Sequence, residues 1–154
     1  MNRRDGMILQ KVLSEVNIAA GMMKGCSLTE FLDNEMLKRA VCMTVINVGD
    51  LVKNLTEECR LSHPEVAWKE IAGFRDIAAH KYQTLRMEDV YETAVTDFPD
   101  LQQKITRILA EQLTTSIQLR MEVSYPSPIS SRIIRSDILM EPTSTSILNT
   151  SSPI

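Results

Sequence analysis

Arg75, Asp76, His80 and Tyr82 stand close together in the segment Gly73-Phe74-Arg75-Asp76-Ile77-Ala78-Ala79-His80-Lys81-Tyr82. Arginine grips a phosphate with a rigid fork of donors. Histidine takes or gives a proton near neutral pH. An imidazole able to draw a proton from a ribose 2′-hydroxyl, beside a guanidinium able to hold the neighbouring phosphate, is the equipment for cutting RNA without a metal. At 3.6 residues per turn, Arg75 and Tyr82 fall on nearly one face of a helix. His80 lies roughly 140° around that helix from Arg75, so the two side chains flank a groove rather than stack. Asp76 is placed to orient His80 or Arg75, and Lys81 and Arg86 add a local basic rim.

The rest of the composition narrows the alternatives. The chain has 154 residues, 44% apolar and 24% charged, ordinary values for one globular domain. A net charge of −3 excludes a polycation that coats nucleic acid, so any RNA contact must be local. Cys26, Cys42 and Cys59 form no CxxC pair, and with two histidines in the chain they speak against a zinc site. Odd, widely spaced cysteines suit reduced thiols in a cytoplasm. No apolar run is long enough to span a membrane, and no uninterrupted apolar stretch follows the basic N-terminus, so neither a membrane span nor a signal peptide is expected.

The elements that must carry these residues read as helices. Ile8, Val12, Val16, Ala19 and Met23 form one apolar stripe over about 4–24, which Gly25 ends. Ser27-Leu28-Thr29-Glu30 has the form of a capping box. Asp33 is a candidate cap for a long helix over about 34–58, with the stripe Leu37, Val41, Thr44, Val48, Leu51 and Leu55. The two long helices are expected to pair antiparallel across their short connection. After the His63-Pro64 break, Trp68, Ile71, Phe74, Ile77 and Ala78 mark the apolar side of a helix over about 66–80. A shorter amphipathic element follows over 87–95. Asp97-Phe98-Pro99 then reads as a cap with proline in the first turn of a last helix, whose stripe runs Leu101, Ile105, Ile108 or Leu109, and Gln112 or Leu113. The expected fold is an all-α, up-and-down bundle of four to five helices over 1–120. Residues 121–154, rich in Ser, Thr and Pro, read as a tail with little prospect of a core, although Ile133-Ile134 and Ile138-Leu139-Met140 offer short docking segments.

Arg75-x4-His80-x-Tyr82 resembles the Rx4HxY motif of the HepT-like toxins, members of the HEPN ribonuclease superfamily. Val48-Gly49-Asp50 resembles that family's Gly-Glu pair, with Asp for the usual Glu. His63 to Gly73 resembles its Pro-x-x-x-Trp lead-in, and Asp89 to Leu101 its following helix and turn. The likeness covers about 7–115.

The resemblance implies a HEPN-like homodimer whose two motifs face one another across the interface. It implies a metal-independent endoribonuclease without cofactor, with Arg75 and His80 as catalytic residues and attack by the 2′-hydroxyl. It further implies the toxin of a toxin–antitoxin pair, whose antitoxin is an MNT-type nucleotidyltransferase that adds AMP to Tyr82. The alternative is a non-catalytic helical dimerisation module that pairs with such a nucleotidyltransferase. Without the family likeness, Arg75–Asp76 reads as an exposed ion pair, His80 as a histidine favoured by a helix C-terminus, and Asp50 as a partner of Arg75 or a cap.

Overall fold

In a computed structural model, residues 1–124 are described. They are helical throughout, with no strand among the described residues: α1 (Arg3–Met23), α2 (Leu28–Asp33), α3 (Glu35–Lys53), α4 (Glu57–Ser62), α5 (Trp68–His80), α6 (Met87–Glu92) and α7 (Phe98–Ser124). A 3₁₀ turn, Tyr82–Thr84, follows α5, and a π-helical turn, Thr93–Asp97, joins α6 to α7. One compact unit spans Met1–Ser116. From residue 125 on, the expected tail lies outside the described residues.

The capping signals act as the sequence implies. Gly25 takes a positive φ of 72° just past α1, a backbone that residues bearing a Cβ rarely adopt. Ser27 and Glu30 close a complete capping box on α2, and its hydrogen bonds hold the Glu30 carboxyl below its ordinary range. The cap of α3 is Asn34 rather than Asp33: Asn34 Oδ1 accepts from the backbone N–H of Leu37 at 3.0 Å.

The α1 stripe is buried as expected, against Val45, Val48 and Val52 of α3. Helices α1 and α3 run antiparallel, with Asn47 Nδ2 donating to Glu15 Oε2 at 3.2 Å. Trp68, Ala78, Phe98, Leu101, Ile105 and Ile108 complete this main core. Burying each such Val, Leu or Ile contributes about 1.5–3 kcal/mol. A second cluster, with Met23, Phe31, Val41, Cys42, Val90 and Ala94, sits under the α2 end, and Phe74 and Leu85 pack against both. Burial pushes the Cys42 thiol up to about 11, so it remains protonated at neutral pH. Two positions depart from the expected stripes: Ile77 is 45% exposed and Leu113 is 65% exposed.

The segment expected as one helix over 34–58 is two. Helix α3 stops at Lys53, and Thr56 caps α4 by accepting from the backbone N–H of Cys59. The break is held by Asp5, which is 1% exposed. Asp5 accepts from the Thr56 N–H at 3.1 Å, from Thr56 Oγ1 at 2.6 Å and from Asn2 Nδ2 at 2.9 Å. This one carboxylate ties the start of α1 to the start of α4.

The last helix also differs from expectation. Asp97 is not a cap, because α6, the π turn and α7 continue without a break. Pro99 lacks the N–H that would bond one α-helical turn back, and the helix accommodates it by widening. The Phe98 N–H reaches back five residues to the Thr93 carbonyl.

Replacing Asp5 with Ala removes the acceptor of three part-buried hydrogen bonds. The D5A variant is expected to lose about 1–3 kcal/mol of stability in urea denaturation.

Candidate active site

The site is assembled where α5 crosses α3. The helices run antiparallel, and three contacts fix their register: Asp50 with Arg75, Lys53 with Asp76, and Arg39 with Tyr82. At the crossing α3 carries Gly49. A Cβ there would lie 2.2 Å from Arg75 Cβ, 2.7 Å from Arg75 Cγ and 3.2 Å from the Ile71 carbonyl oxygen. Only glycine lets the stem of Arg75 lie directly on the α3 backbone.

The guanidinium of Arg75 is gripped by two carboxylates. Its Nε, shielded from solvent, lies 2.5 Å from Asp50 Oδ1, an ionic contact rather than an aligned hydrogen bond. Its Nη1 donates to Asp76 Oδ1 at 3.0 Å. Asp50, and after it Asp76, keep the guanidinium more firmly protonated than an isolated arginine. Asp76 also takes a hydrogen bond from Lys53. The Lys53 bond first, and the Arg75 bond second, hold its carboxyl below the ordinary carboxylate range. Two cations and two anions thus interlock, and Arg75, whose side chain is 22% exposed, is the most enclosed of the four.

His80 is the last residue of α5 and is exposed. Among the described residues it makes no hydrogen bond to Asp76, whose Oδ1 is committed to Arg75 and Lys53. Of the two roles open to Asp76, the structure therefore shows the contact with Arg75.

Tyr82 does not lie on the helix with Arg75, as the spacing predicts. Helix α5 ends at His80, Lys81 forms its C-cap, and Tyr82 begins the 3₁₀ turn. Leaving the helix lets Tyr82 and Leu85 pack against the second cluster. The ring is half-buried, and Arg39 Cζ stands 5.6 Å from its centroid. Lys81 and Arg86, the N-cap of α6, are both exposed. His63, by contrast, is structural: its carbonyl accepts from Trp68 Nε1 at 2.9 Å, and its Nδ1 lies 3.5 Å from Glu65 Oε1.

Sequence reasoning missed Lys53 and Arg39. Lys53 was open to discovery, since it sits one turn beyond Asp50 on the same helix face. Arg39 carried no such signal, because its partner becomes visible only once Tyr82 is seen to lie in the turn after α5.

An apolar groove lies elsewhere on the bundle. A groove of about 430 Å³ is lined by Val48, Ile71, Phe74, Phe98 and Leu101, with Glu70 among its polar residues, and it includes none of Arg75, His80 and Tyr82. Among the described residues no three His, Cys, Asp or Glu side chains converge as metal ligands, and no helix is long and apolar enough to cross a membrane.

Known proteins are similar to this chain in sequence. A family profile described as Ribonuclease HepT-like matches residues 12–108. A protein of Caldanaerobacter subterraneus subsp. tengcongensis, named as a candidate RNase, is 34% identical over 104 residues, 68% of this chain and 93% of that one. A protein of Methanocaldococcus jannaschii with the same kind of name is 29% identical over 112 residues, 72% of this chain and 97% of that one. A protein of Thermococcus cleftensis, named probable ribonuclease HepT, is 23% identical over 108 residues, 70% and 98% of the two chains. No solved structure matches the chain.

A methyl group at Gly49 would force α3 and α5 apart. Gly49→Ala is expected to cost about 1–3 kcal/mol in urea denaturation. Gly21→Ala, where an added Cβ meets nothing within 4 Å, is expected to be neutral or stabilising.

Proposed function

Because this chain belongs to the HepT-like ribonuclease family, we propose that it is a metal-independent endoribonuclease acting through Arg75 and His80. The observation that carries this reading is the double carboxylate grip on Arg75. It fixes a phosphate-binding fork on the same helix that ends in an exposed imidazole. A fork held before substrate arrives loses little entropy on binding.

The reaction is an internal displacement. His80 takes the proton of a ribose 2′-hydroxyl, and the 2′-oxygen forms a bond to the adjacent phosphorus. The bond from phosphorus to the 5′-oxygen breaks, and that oxygen leaves as a hydroxyl after accepting a proton. Arg75 holds the non-bridging oxygens while charge builds on them. The products are a 2′,3′-cyclic phosphate and a 5′-hydroxyl end. One imidazole must give a proton as another takes one, which a homodimer with two motifs facing one groove provides. Lys81 and Arg86 lie along the RNA path and supply local positive charge in a chain of net negative charge.

The same reading places the chain as the toxin of a toxin–antitoxin pair in the cytoplasm. Its antitoxin is an MNT-type nucleotidyltransferase, and the modified residue is Tyr82. AMP on Tyr82 would bring bulk and a negative phosphate to the residue two past His80, and both exclude RNA.

In EDTA, the wild-type protein is expected to cut single-stranded RNA to cyclic-phosphate ends, while His80→Ala and Arg75→Ala lose activity by about 10²–10⁴-fold. Equal cleavage by the His80→Ala protein would remove His80 from the mechanism, and no cleavage by the wild type would favour the non-catalytic dimerisation module instead. Co-expression with a nucleotidyltransferase from a neighbouring reading frame should add one or more AMP units to the Tyr82 peptide by mass spectrometry. The same mass gain in Tyr82→Phe would remove Tyr82 from the regulation.

A further inference from the structure

Among the described residues, Arg39 of α3 forms no ion pair. Glu35, one turn before it, is bonded to Lys38 and attracts Arg39 only through space, and Asp50 pairs with Arg75. An exposed arginine ordinarily spreads over many rotamers, at a large entropy cost when it binds. Here the ring of Tyr82 lies under the guanidinium, with Cζ 5.6 Å from the centroid. A guanidinium resting on a ring keeps its N–H donors at its edge, where they match two oxygens of one phosphate. Its outer face remains a platform for a base.

The antiparallel register sets where this happens. Arg75 is held at the Gly49–Asp50 end of α3, and Arg39 lies eleven positions earlier on the same helix, about 16 Å along its axis. That is a span of several nucleotides. Between the two, α5 delivers His80 and the chain turns at Lys81 into Tyr82.

We propose that the Arg39–Tyr82 pair is a second phosphate clamp for single-stranded RNA. In it the guanidinium, held over the ring by a cation–π contact, takes a backbone phosphate several nucleotides from the one engaged by Arg75. The proposal rests on RNA being the substrate. Arg39 binds the strand and takes no part in proton transfer. Tyr82 acquires a role in substrate binding through the ring it places beneath Arg39.

The test is fluorescence anisotropy with a labelled 2′-O-methyl oligoribonucleotide, which binds without being cut, across a range of salt concentrations. Arg39→Ala is expected to bind about tenfold more weakly at low salt. Its slope of log affinity against log salt should fall by about 0.7, the signature of one lost phosphate contact on a single strand. Arg39→Lys retains the charge without the flat fork, and should fall between wild type and Arg39→Ala. Tyr82→Ala should weaken binding too, and the double variant should be less impaired than the product of the two single effects. Wild-type affinity in Arg39→Ala, an unchanged salt slope, or fully additive single effects would overturn the clamp. Cleavage of unmodified RNA, run in parallel, separates this proposal from the ribonuclease reading. A wild-type protein that binds but does not cut leaves the clamp standing and ends the ribonuclease. One that cuts while Arg39→Ala binds equally well does the reverse, and a wild-type protein that binds no RNA ends both.

Discussion

The structure turns on the place where α3 and α5 touch backbone to side-chain stem. Gly49 has no Cβ, and the first carbons of Arg75 fill the space that a Cβ would need. From that contact the next residue of α3, Asp50, meets the guanidinium, and the residue after Arg75, Asp76, meets it from the other side. Lys53, one turn on, locks Asp76 in turn. Burial of apolar residues sets the stability of the bundle, but it does not by itself fix the register of one helix on another. The missing Cβ and the shared carboxylates do.

Charge is arranged to the same end. A buried ion pair is expensive, and an exposed one contributes little. The Arg75 network lies between these limits, with Arg75 enclosed and both carboxylates about half exposed. What it supplies is direction: the fork points where its partners hold it. Near Tyr82 the same end is reached differently, with a ring rather than an acid beneath Arg39. The first arginine is ion-paired and rigid, while the second forms no ion pair among the described residues.

Much of this was legible in the chain. The stripe Ile8 to Met23 is buried, Ser27 and Glu30 cap α2, and Gly25 ends α1, because each rests on interactions within a few residues. The family was readable from spacing and likeness, and Asp50 was open to pairing with Arg75 or capping a turn, whereas the seating of the Arg75 stem on Gly49 carried no local signal. What escaped depended on distant partners. The break after Lys53 answers to Asp5, fifty-one positions before Thr56 in the sequence. Helix α5 ends at His80, within the range expected for it, but the placement of Tyr82 on that helix fails, because Tyr82 and Leu85 find a core to enter. Asp97-Phe98-Pro99 carries every local mark of a helix start, yet in the structure the helix simply widens around the proline.

That widened turn has a consequence for how the chain can vary. One residue added to a uniform α-helix turns everything beyond it by about 100°, and the widened turn absorbs one residue without passing that rotation on. Before the turn, Val90 and Ala94 face the second cluster, and after it Phe98, Leu101, Ile105 and Ile108 face the main core. A single-codon deletion between Thr93 and Asp97 would therefore let the helix regain α-helical pitch with the α7 stripe still facing its core. The same deletion farther along α7, with no widened turn to absorb it, would swing the stripe beyond it by about 100°. The helix carries its slack in the stretch between the two cores it serves.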